Sequence, residues 1–152
     1  RLFSIFGESD DVNGVVAACI VREGKILFEA VSNNNGVHAE YALLRKLEES
    51  GGRIQKGDSV YCTVEPCGMR SPGGRGEKMG DCTSNLIKAG VSHIVFAAPD
   101  PHASGDTRKR FKDAGIELVQ VSDRDIIDKA IRMFNDSCRN KEDWLPLSLS
   151  RD

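Results

Sequence analysis

The chain has 152 residues, of which 39% are hydrophobic and 29% are charged, and its formal net charge is −2. A length of this order predicts one domain over residues 1–152, with enough apolar side chains for a core. The small negative charge excludes a general attraction to nucleic acid or to an acidic membrane surface. No apolar run approaches the length of a membrane span, so a membrane partner is not expected.

The five cysteines divide into two groups. Cys19, Cys62 and Cys138 form no spaced disulfide framework, and the first two lie in apolar runs that read as strands, so we expect buried, reduced thiols. Reduced thiols favour a cytoplasmic protein. Residues 1–6 are too short for a secretory signal, although the chain begins with Arg1 rather than Met, which leaves a preceding targeting segment open.

Apolar runs and polar or glycine-rich breaks alternate along the chain. They predict strands at 15–21, 25–31, 58–64, 92–98 and 116–121, and helices at 38–50, 82–89, 104–114 and 123–138. The stretch 68–80 has many glycines and no periodicity, which predicts a surface loop. The last helix has an apolar stripe that favours core packing over partner binding: Ile126, Ile127, Ala130, Ile131 and Phe134. Strands alternating with helices predict an α/β sheet covered by helices.

Three residues in separate segments form a candidate metal site. His38 precedes Glu40 by two positions, Cys67 follows Pro66 at the end of a predicted strand, and Cys82 opens a predicted helix. One imidazole and two thiolates are ligands that Zn²⁺ prefers, and three protein ligands leave a fourth position for water, as catalytic zinc sites do. Because no further cysteine or histidine stands at conventional spacing, a closed structural zinc site is less favoured.

Glu40 is the candidate catalytic residue. On a helix, positions two apart diverge by about 200°, so the Glu40 carboxylate need not bind the same ion as His38. A carboxylate beside a zinc-activated water can take its proton and pass it to a leaving nitrogen. H-x-E followed by P-C and a further cysteine is the signature of zinc deaminases.

At this point the chain resembles the cytidine-deaminase superfamily, and within it the deaminase domain of riboflavin-biosynthesis enzymes. The likeness rests on five stretches in the same order: 13–18 (NGVVAA), 38–40 (HAE), 63–67 (TVEPC), 82–91 (CTSNLIKAGV) and 100–101 (DP). The resemblance implies a three-layer α/β/α sandwich with a central mixed sheet of about five strands. It also implies that His38, Cys67 and Cys82 bind zinc and that Glu40 is the proton shuttle.

The resemblance extends to substrate contacts. Asn13 and Asp100 match positions that contact the substrate in the family, and the backbone near Ala39 and Glu65 is expected at the ring edge. His102 is a further candidate, as a stacking or hydrogen-bonding residue. Related folds pair or tetramerise, so a homo-oligomer is expected.

Three functions stay open at this stage. The first is hydrolytic deamination of a free aminopyrimidine, either a nucleotide or a phosphate of the riboflavin pathway, with Arg70, Arg75 and Lys78 as candidate phosphate ligands. The second is deamination of cytosine or adenine in single-stranded DNA or RNA, for which the basic run 108–112 would track the backbone. The third is an inactive deaminase fold that serves as a binding module.

Overall fold

The structure is a computed structural model that describes residues 1–70, 74, 76–101 and 105–147. Its strands are β1 (Ala17–Arg22), β2 (Lys25–Val31), β3 (Ser59–Val64), β4 (His93–Ala98) and β5 (Glu117–Gln120). Its α-helices are α1 (Ala39–Glu49), α2 (Cys82–Ala89), α3 (Gly105–Asp113) and α4 (Arg124–Ser137). A 3₁₀ helix over Leu2–Glu8 precedes the sheet. Every predicted strand and helix is therefore present, in the predicted order.

The five strands form one mixed sheet in the order β2-β1-β3-β4-β5. β1 pairs antiparallel with β2 and with β3, whereas β3, β4 and β5 run parallel. The parallel strands are joined by α2 and α3, as crossover connections require. Their carboxyl ends lie at one edge of the sheet, which is where ligands bind in open α/β sheets.

Helices cover the sheet on two faces, which confirms the three-layer sandwich. On one face, apolar side chains of α1, α2 and α3 pack against the sheet in the larger core cluster, around Leu43, Leu86 and Phe111. On the other face, Ile127 and Ile131 of α4 form a second cluster with the ends of β3 and β4. No helix in the described part of the chain is long and apolar enough to cross a membrane.

The predicted strand boundaries differ most from the structure at β1 and β5, whereas β3 and β4 each begin only one residue later than predicted. β1 begins at Ala17 rather than residue 15, because the Val15 and Val16 amides donate to the hydroxyls of Ser137 and Ser32 instead of a strand partner. The predicted strand 116–121 is shortened to Glu117–Gln120, since it pairs on one side only.

The apolar stripe of α4 is a packing surface, as expected, with one exception. Ile127, Ala130 and Ile131 are buried, whereas Ile126 is 39% exposed. Burial extends instead to Asn135, whose side chain bonds the chain beyond the helix. The buried face of α4 is therefore centred on Ile127, Ala130, Ile131 and Asn135 rather than on Ile126.

Candidate active site

The three predicted metal ligands converge, each at the end of an element. His38 has extended backbone as the N-cap of α1, and Cys82 is the first residue of α2. Cys67 follows β3, three residues after Val64. Asp81 sets the start of α2, because its side chain accepts a hydrogen bond from the Ser84 amide at 2.8 Å. Local capping therefore fixes where Cys82 enters the site.

The ligand atoms have the spacing of a tetrahedral ion site. His38 Nδ1 lies 3.3 Å from Cys82 Sγ and 3.5 Å from Cys67 Sγ, and the three ligand atoms are all within 4.8 Å of one another. Zinc bonds of the usual length place a tetrahedral sulfur and nitrogen about 3.5 Å apart. The side chains present therefore fit a zinc ion without rearrangement.

The two sulfurs differ in acidity. Hydrogen bonds from Cys82 and His38 lower the pKa of Cys67 to about 4, and the Cys82 backbone N–H itself donates to Cys67 Sγ at 3.3 Å. The pKa of Cys82 is raised, because it bonds the Cys67 sulfur, is buried, and lies beside Glu40. These contacts therefore favour the thiolate form at Cys67 over that at Cys82. A bound dication would favour a thiolate at both positions.

The remaining cysteines behave as core residues, as predicted. Burial raises the pKa of Cys19 to about 11 and the pKa of Cys62 well above its usual value. Both are 3% exposed and Cys138 is 5% exposed. These three thiols have none of the acidity that distinguishes Cys67.

Glu40 lies beside the candidate metal ligands, and its predicted role as a proton shuttle stays a prediction. It lies in the first turn of α1 and is 3% exposed, and its Oε2 accepts a hydrogen bond from Cys82 Sγ at 3.1 Å. It lines the same cavity as His38 and Cys67. The carboxylate therefore lies beside the metal ligands and faces the space that a substrate would enter.

The cavity encloses about 230 Å³ at the carboxyl edge of the sheet. The predicted site residues on its lining are Asn13, His38, Glu40, Glu65, Cys67 and Asp100. Sequence reasoning missed further lining residues, namely Asp11, Gly14, Val16, Ser32, Val64, Phe134, Asp143 and Leu145. Several of these come from α4 and the chain after it, a region whose sequence has no motif to connect it with the site.

The Glu65 carboxylate is engaged within the protein. Its side chain is fully buried and accepts two hydrogen bonds from Arg108, at 2.9 and 3.1 Å. Its Oε1 also accepts from the Asp100 backbone N–H at 3.1 Å. The Glu65 side chain therefore connects the Cys67 turn to α3 and to the Asp100 turn. This structural role is separate from the predicted contact between the Glu65 backbone and the substrate ring.

Arg70 does not line the cavity. Its Nε donates to the Gly80 carbonyl at 2.8 Å and its Nη1 donates to the Gly36 carbonyl at 3.0 Å. Gly36 and Gly80 each stand two residues before a metal ligand, His38 and Cys82. The predicted phosphate contact of Arg70 stays a prediction, and the observed bonds connect the two loops that carry metal ligands.

Two further predicted substrate contacts have different positions. Ala39 is fully buried at the start of α1, where its methyl group packs in the larger core cluster. His102, like Arg75, lies outside the described residues. The predicted roles of these positions in substrate binding stay predictions.

The basic run 108–112 is largely paired within the protein. Arg108 bonds Glu65, Lys109 bonds Asp113, and Arg110 bonds the Asp81 carboxylate at 3.1 Å. Side chains held in this way are less available to phosphates of a nucleic-acid backbone. The described structure therefore gives no support to the nucleic-acid alternative.

A comparison with known families agrees with this geometry. The cytidine and deoxycytidylate deaminase zinc-binding region matches residues 6–98, which include His38, Glu40, Cys67 and Cys82. The chain belongs to this family. The family and the His/Cys/Cys group together indicate a zinc site.

Relatives within the family include riboflavin-biosynthesis proteins. The chain is 33% identical to RibD of Aquifex aeolicus over 70% of its own length and 28% of the relative's. It is 35% identical to RibD of Escherichia coli over 70% of its length and 27% of the relative's. The solved structure of Acinetobacter baumannii RibD superposes with a TM-score of 0.66 at 27% identity, over 90% of this chain and 36% of that one. The chain thus spans about a third or less of these relatives.

Proposed function

We propose that this chain is a zinc-dependent hydrolytic deaminase of one domain, which removes the exocyclic amino group from a free aminopyrimidine. The substrate class is a nucleotide or a sugar-substituted aminopyrimidine of the riboflavin pathway. The observation that carries the proposal is the placement of Glu40 beside three converged ligand atoms on a cavity of about 230 Å³. That volume suits a heteroaromatic ring with a sugar substituent.

The chemistry divides between the ion and the protein. Zinc, when bound by His38, Cys67 and Cys82, supplies the Lewis acidity that makes water nucleophilic near neutral pH. Glu40 accepts a proton from the attacking water and delivers it to a ring nitrogen. It then accepts the proton of the hydroxyl group added at the ring carbon and delivers it to the departing amine, so that water is consumed and ammonia leaves. Low solvent exposure of Glu40 limits competing proton exchange with bulk water.

The substrate is held by residues on the other side of the cavity. Asn13 and Asp100 line it, and hydrogen bonds fix the turns that carry them, through Asp11 for Asn13 and through Glu65 for Asp100. Fixed turns reduce the reorganisation needed to bring the ring carbon to the attacking water. We assign sugar hydroxyls of the substrate to these two side chains.

Ammonia release from the zinc-loaded protein tests the proposal. The substrate panel is cytidine, CMP, and diaminohydroxyribosylaminopyrimidine with and without its 5′-phosphate. We expect release with at least one of them, and a loss of roughly 10²–10⁴-fold in kcat for Glu40→Gln with zinc retained. Glu48→Gln, at an exposed position of the same helix, is the matched control.

Two results would contradict the proposal. Zinc binding without ammonia release from any compound would favour the inactive binding module. Formation of uracil or inosine in single-stranded oligonucleotides, together with oligonucleotide binding that weakens steeply as salt is added, would favour the nucleic-acid alternative. The homo-oligomer that the resemblance implies stays a prediction, and light scattering on the same sample tests it.

A further inference from the structure

The chain after α4 is fastened to the body of the protein. We call residues 138–147 the C-terminal segment. The Asn135 side chain donates to the Leu145 carbonyl at 3.0 Å and accepts from the Leu145 amide at 2.8 Å. The Trp144 indole donates to the Cys138 carbonyl at 3.0 Å, and Leu145 is 5% exposed within the second core cluster. The segment therefore has a fixed position.

The same region holds the loop that carries Asn13. Cys138 forms an antiparallel bridge with Asn13, and the Arg139 amide donates to the Val12 carbonyl at 2.9 Å. The Gly14 α-carbon faces the Phe134 ring so closely that an added Cβ would lie 2.2 Å from it. The position of Asn13 in the cavity therefore depends on the end of α4 and the start of the C-terminal segment.

The C-terminal segment also contributes directly to the cavity, through Asp143 and Leu145. Asp11 and Asp100 line it as well, and among the described lining residues only His38 can carry a positive charge. Arg108 balances the Glu65 charge from outside the lining. The part of the cavity away from the metal ligands is therefore acidic, and Asp143 is an exposed carboxylate within it.

We propose that the C-terminal segment is the substrate-side wall of the active site and that Asp143 is a specificity-determining residue. Its carboxylate favours substituents rich in hydrogen-bond donors, such as sugar hydroxyls or amines, and disfavours a phosphate on the same substituent through charge repulsion. Leu145 supplies the apolar surface beside it. The proposal rests on the proposed function, since it assigns this cavity to the substrate.

The test is the ratio of kcat/KM for a phosphorylated substrate to that for its unphosphorylated counterpart. CMP with cytidine, and the two forms of diaminohydroxyribosylaminopyrimidine, give two such ratios. We expect the ratio to rise about fivefold in Asp143→Asn and by more in Asp143→Lys, because a carboxylate near the phosphate is removed or reversed. Changes in folding or zinc content affect both substrates alike and cancel in the ratio.

Two controls separate charge from other effects. Asp136→Asn, at an exposed position of α4 that does not line the cavity, is expected to leave the ratio unchanged within about twofold. The effect of Asp143→Asn is expected to shrink in 0.5 M NaCl, because salt screens exposed charges. A ratio that stays the same in both Asp143 variants would overturn the specificity role.

Trp144 provides a readout that does not need turnover. It is the single tryptophan of the chain and stands between Asp143 and Leu145. In zinc-loaded Glu40→Gln, titration with the same four compounds is expected to change its emission, with CMP gaining affinity relative to cytidine when Asp143→Asn is added. If wild type releases no ammonia but the compounds still change the Trp144 emission, the proposed function is wrong. The assignment of the C-terminal segment to the wall of the binding site is then still supported. If no compound changes the emission, the wall proposal fails.

Discussion

His38 and Cys82 reach the candidate metal site from helix starts that are visible in the local sequence. Asn13 and Asp143, in contrast, reach the cavity from segments about 130 residues apart. On the metal side, each ligand is positioned by a cap or a strand end close to it in the chain. On the substrate side, Asn13 is positioned by Cys138 and Gly14 by its contact with Phe134. The two sides should therefore respond differently to substitution, the first through zinc affinity and the second through packing and substrate selection.

The largest effect is expected from loss of a metal ligand. Cys67→Ser should weaken zinc binding about 1,000-fold, since a zinc-binding free energy of about 10–16 kcal/mol is spread over a few ligands. Competition with a chromophoric chelator measures it. Cys19→Ala removes a buried thiol away from the three ligands and should leave zinc affinity unchanged. Equal zinc affinity in Cys67→Ser and wild type would exclude Cys67 as a ligand.

The next effect concerns the ion pair that joins the two sides. Arg108→Met leaves the buried Glu65 carboxylate without its charge partner and should lower the free energy of unfolding by about 3 kcal/mol. It should also raise KM more than it lowers kcat, because Glu65 holds the Asp100 turn. Lys109→Met removes an exposed pair one residue along the helix and should cost less than about 0.5 kcal/mol. Urea denaturation and steady-state kinetics distinguish the two variants.

A smaller effect is expected where Gly14 meets Phe134. Gly14→Ala places a residue with a side chain at a φ of +105°, with its Cβ 2.2 Å from the Phe134 ring. The substitution should lower the free energy of unfolding by about 2 kcal/mol and should also weaken substrate binding. Gly24→Ala also has a positive φ, of +76°, but meets no atom within 4 Å. Gly24→Ala should lower the free energy of unfolding by about 1 kcal/mol, because of the backbone conformation alone, and should leave KM unchanged. Similar losses of unfolding free energy in the two variants would show that the Phe134 ring moves away from the added Cβ at little cost.

A site at the other end of the sheet tests whether stability alone changes catalysis. Asp58 is 1% exposed, and hydrogen bonds from Arg22 lower its pKa. A carboxyl whose pKa is lowered in the folded state contributes stability above its unfolded value of about 3.9, and loses it as the pH falls through the folded value.

Asp58→Asn should therefore lower the free energy of unfolding by about 1–2 kcal/mol at pH 7, and this difference should shrink below about pH 4. Urea denaturation across pH measures it. Zinc affinity and KM at pH 7 should match wild type, since Asp58 does not line the cavity. A difference that grows on acidification would contradict the assigned ion pair.

The smallest effect is expected for zinc affinity, at a residue that contacts the loops on the metal side. Arg70→Met removes the bonds to the Gly36 and Gly80 carbonyls and should weaken zinc binding about tenfold, as expected for residues that orient ligands. Lys78→Met, at an exposed position in the same loop, should leave zinc affinity unchanged. If Arg70→Met instead raises KM for phosphorylated compounds with zinc affinity unchanged, Arg70 is the phosphate ligand that the sequence predicted.

The sequence predicted the strand and helix order well because apolar periodicity and glycine breaks are local signals. It also grouped His38, Glu40, Cys67 and Cys82, since their motifs specify both residue type and structural context. It missed Asp143 and Leu145, because no motif connects that stretch with Asn13. The start of β1 was misplaced because two serine hydroxyls, each distant in sequence, compete for the Val15 and Val16 amides.

What the sequence determined by itself is the candidate chemistry: residue types suited to binding zinc and moving protons, at helix starts and strand ends where caps and turns place them. What only the tertiary structure decided is the other half of the cavity. Contacts between Asn13, Phe134 and the C-terminal segment join distant parts of the chain, and they form only when α4 packs on the sheet. Local patterns carry the first kind of information, and burial and packing between distant residues supply the second.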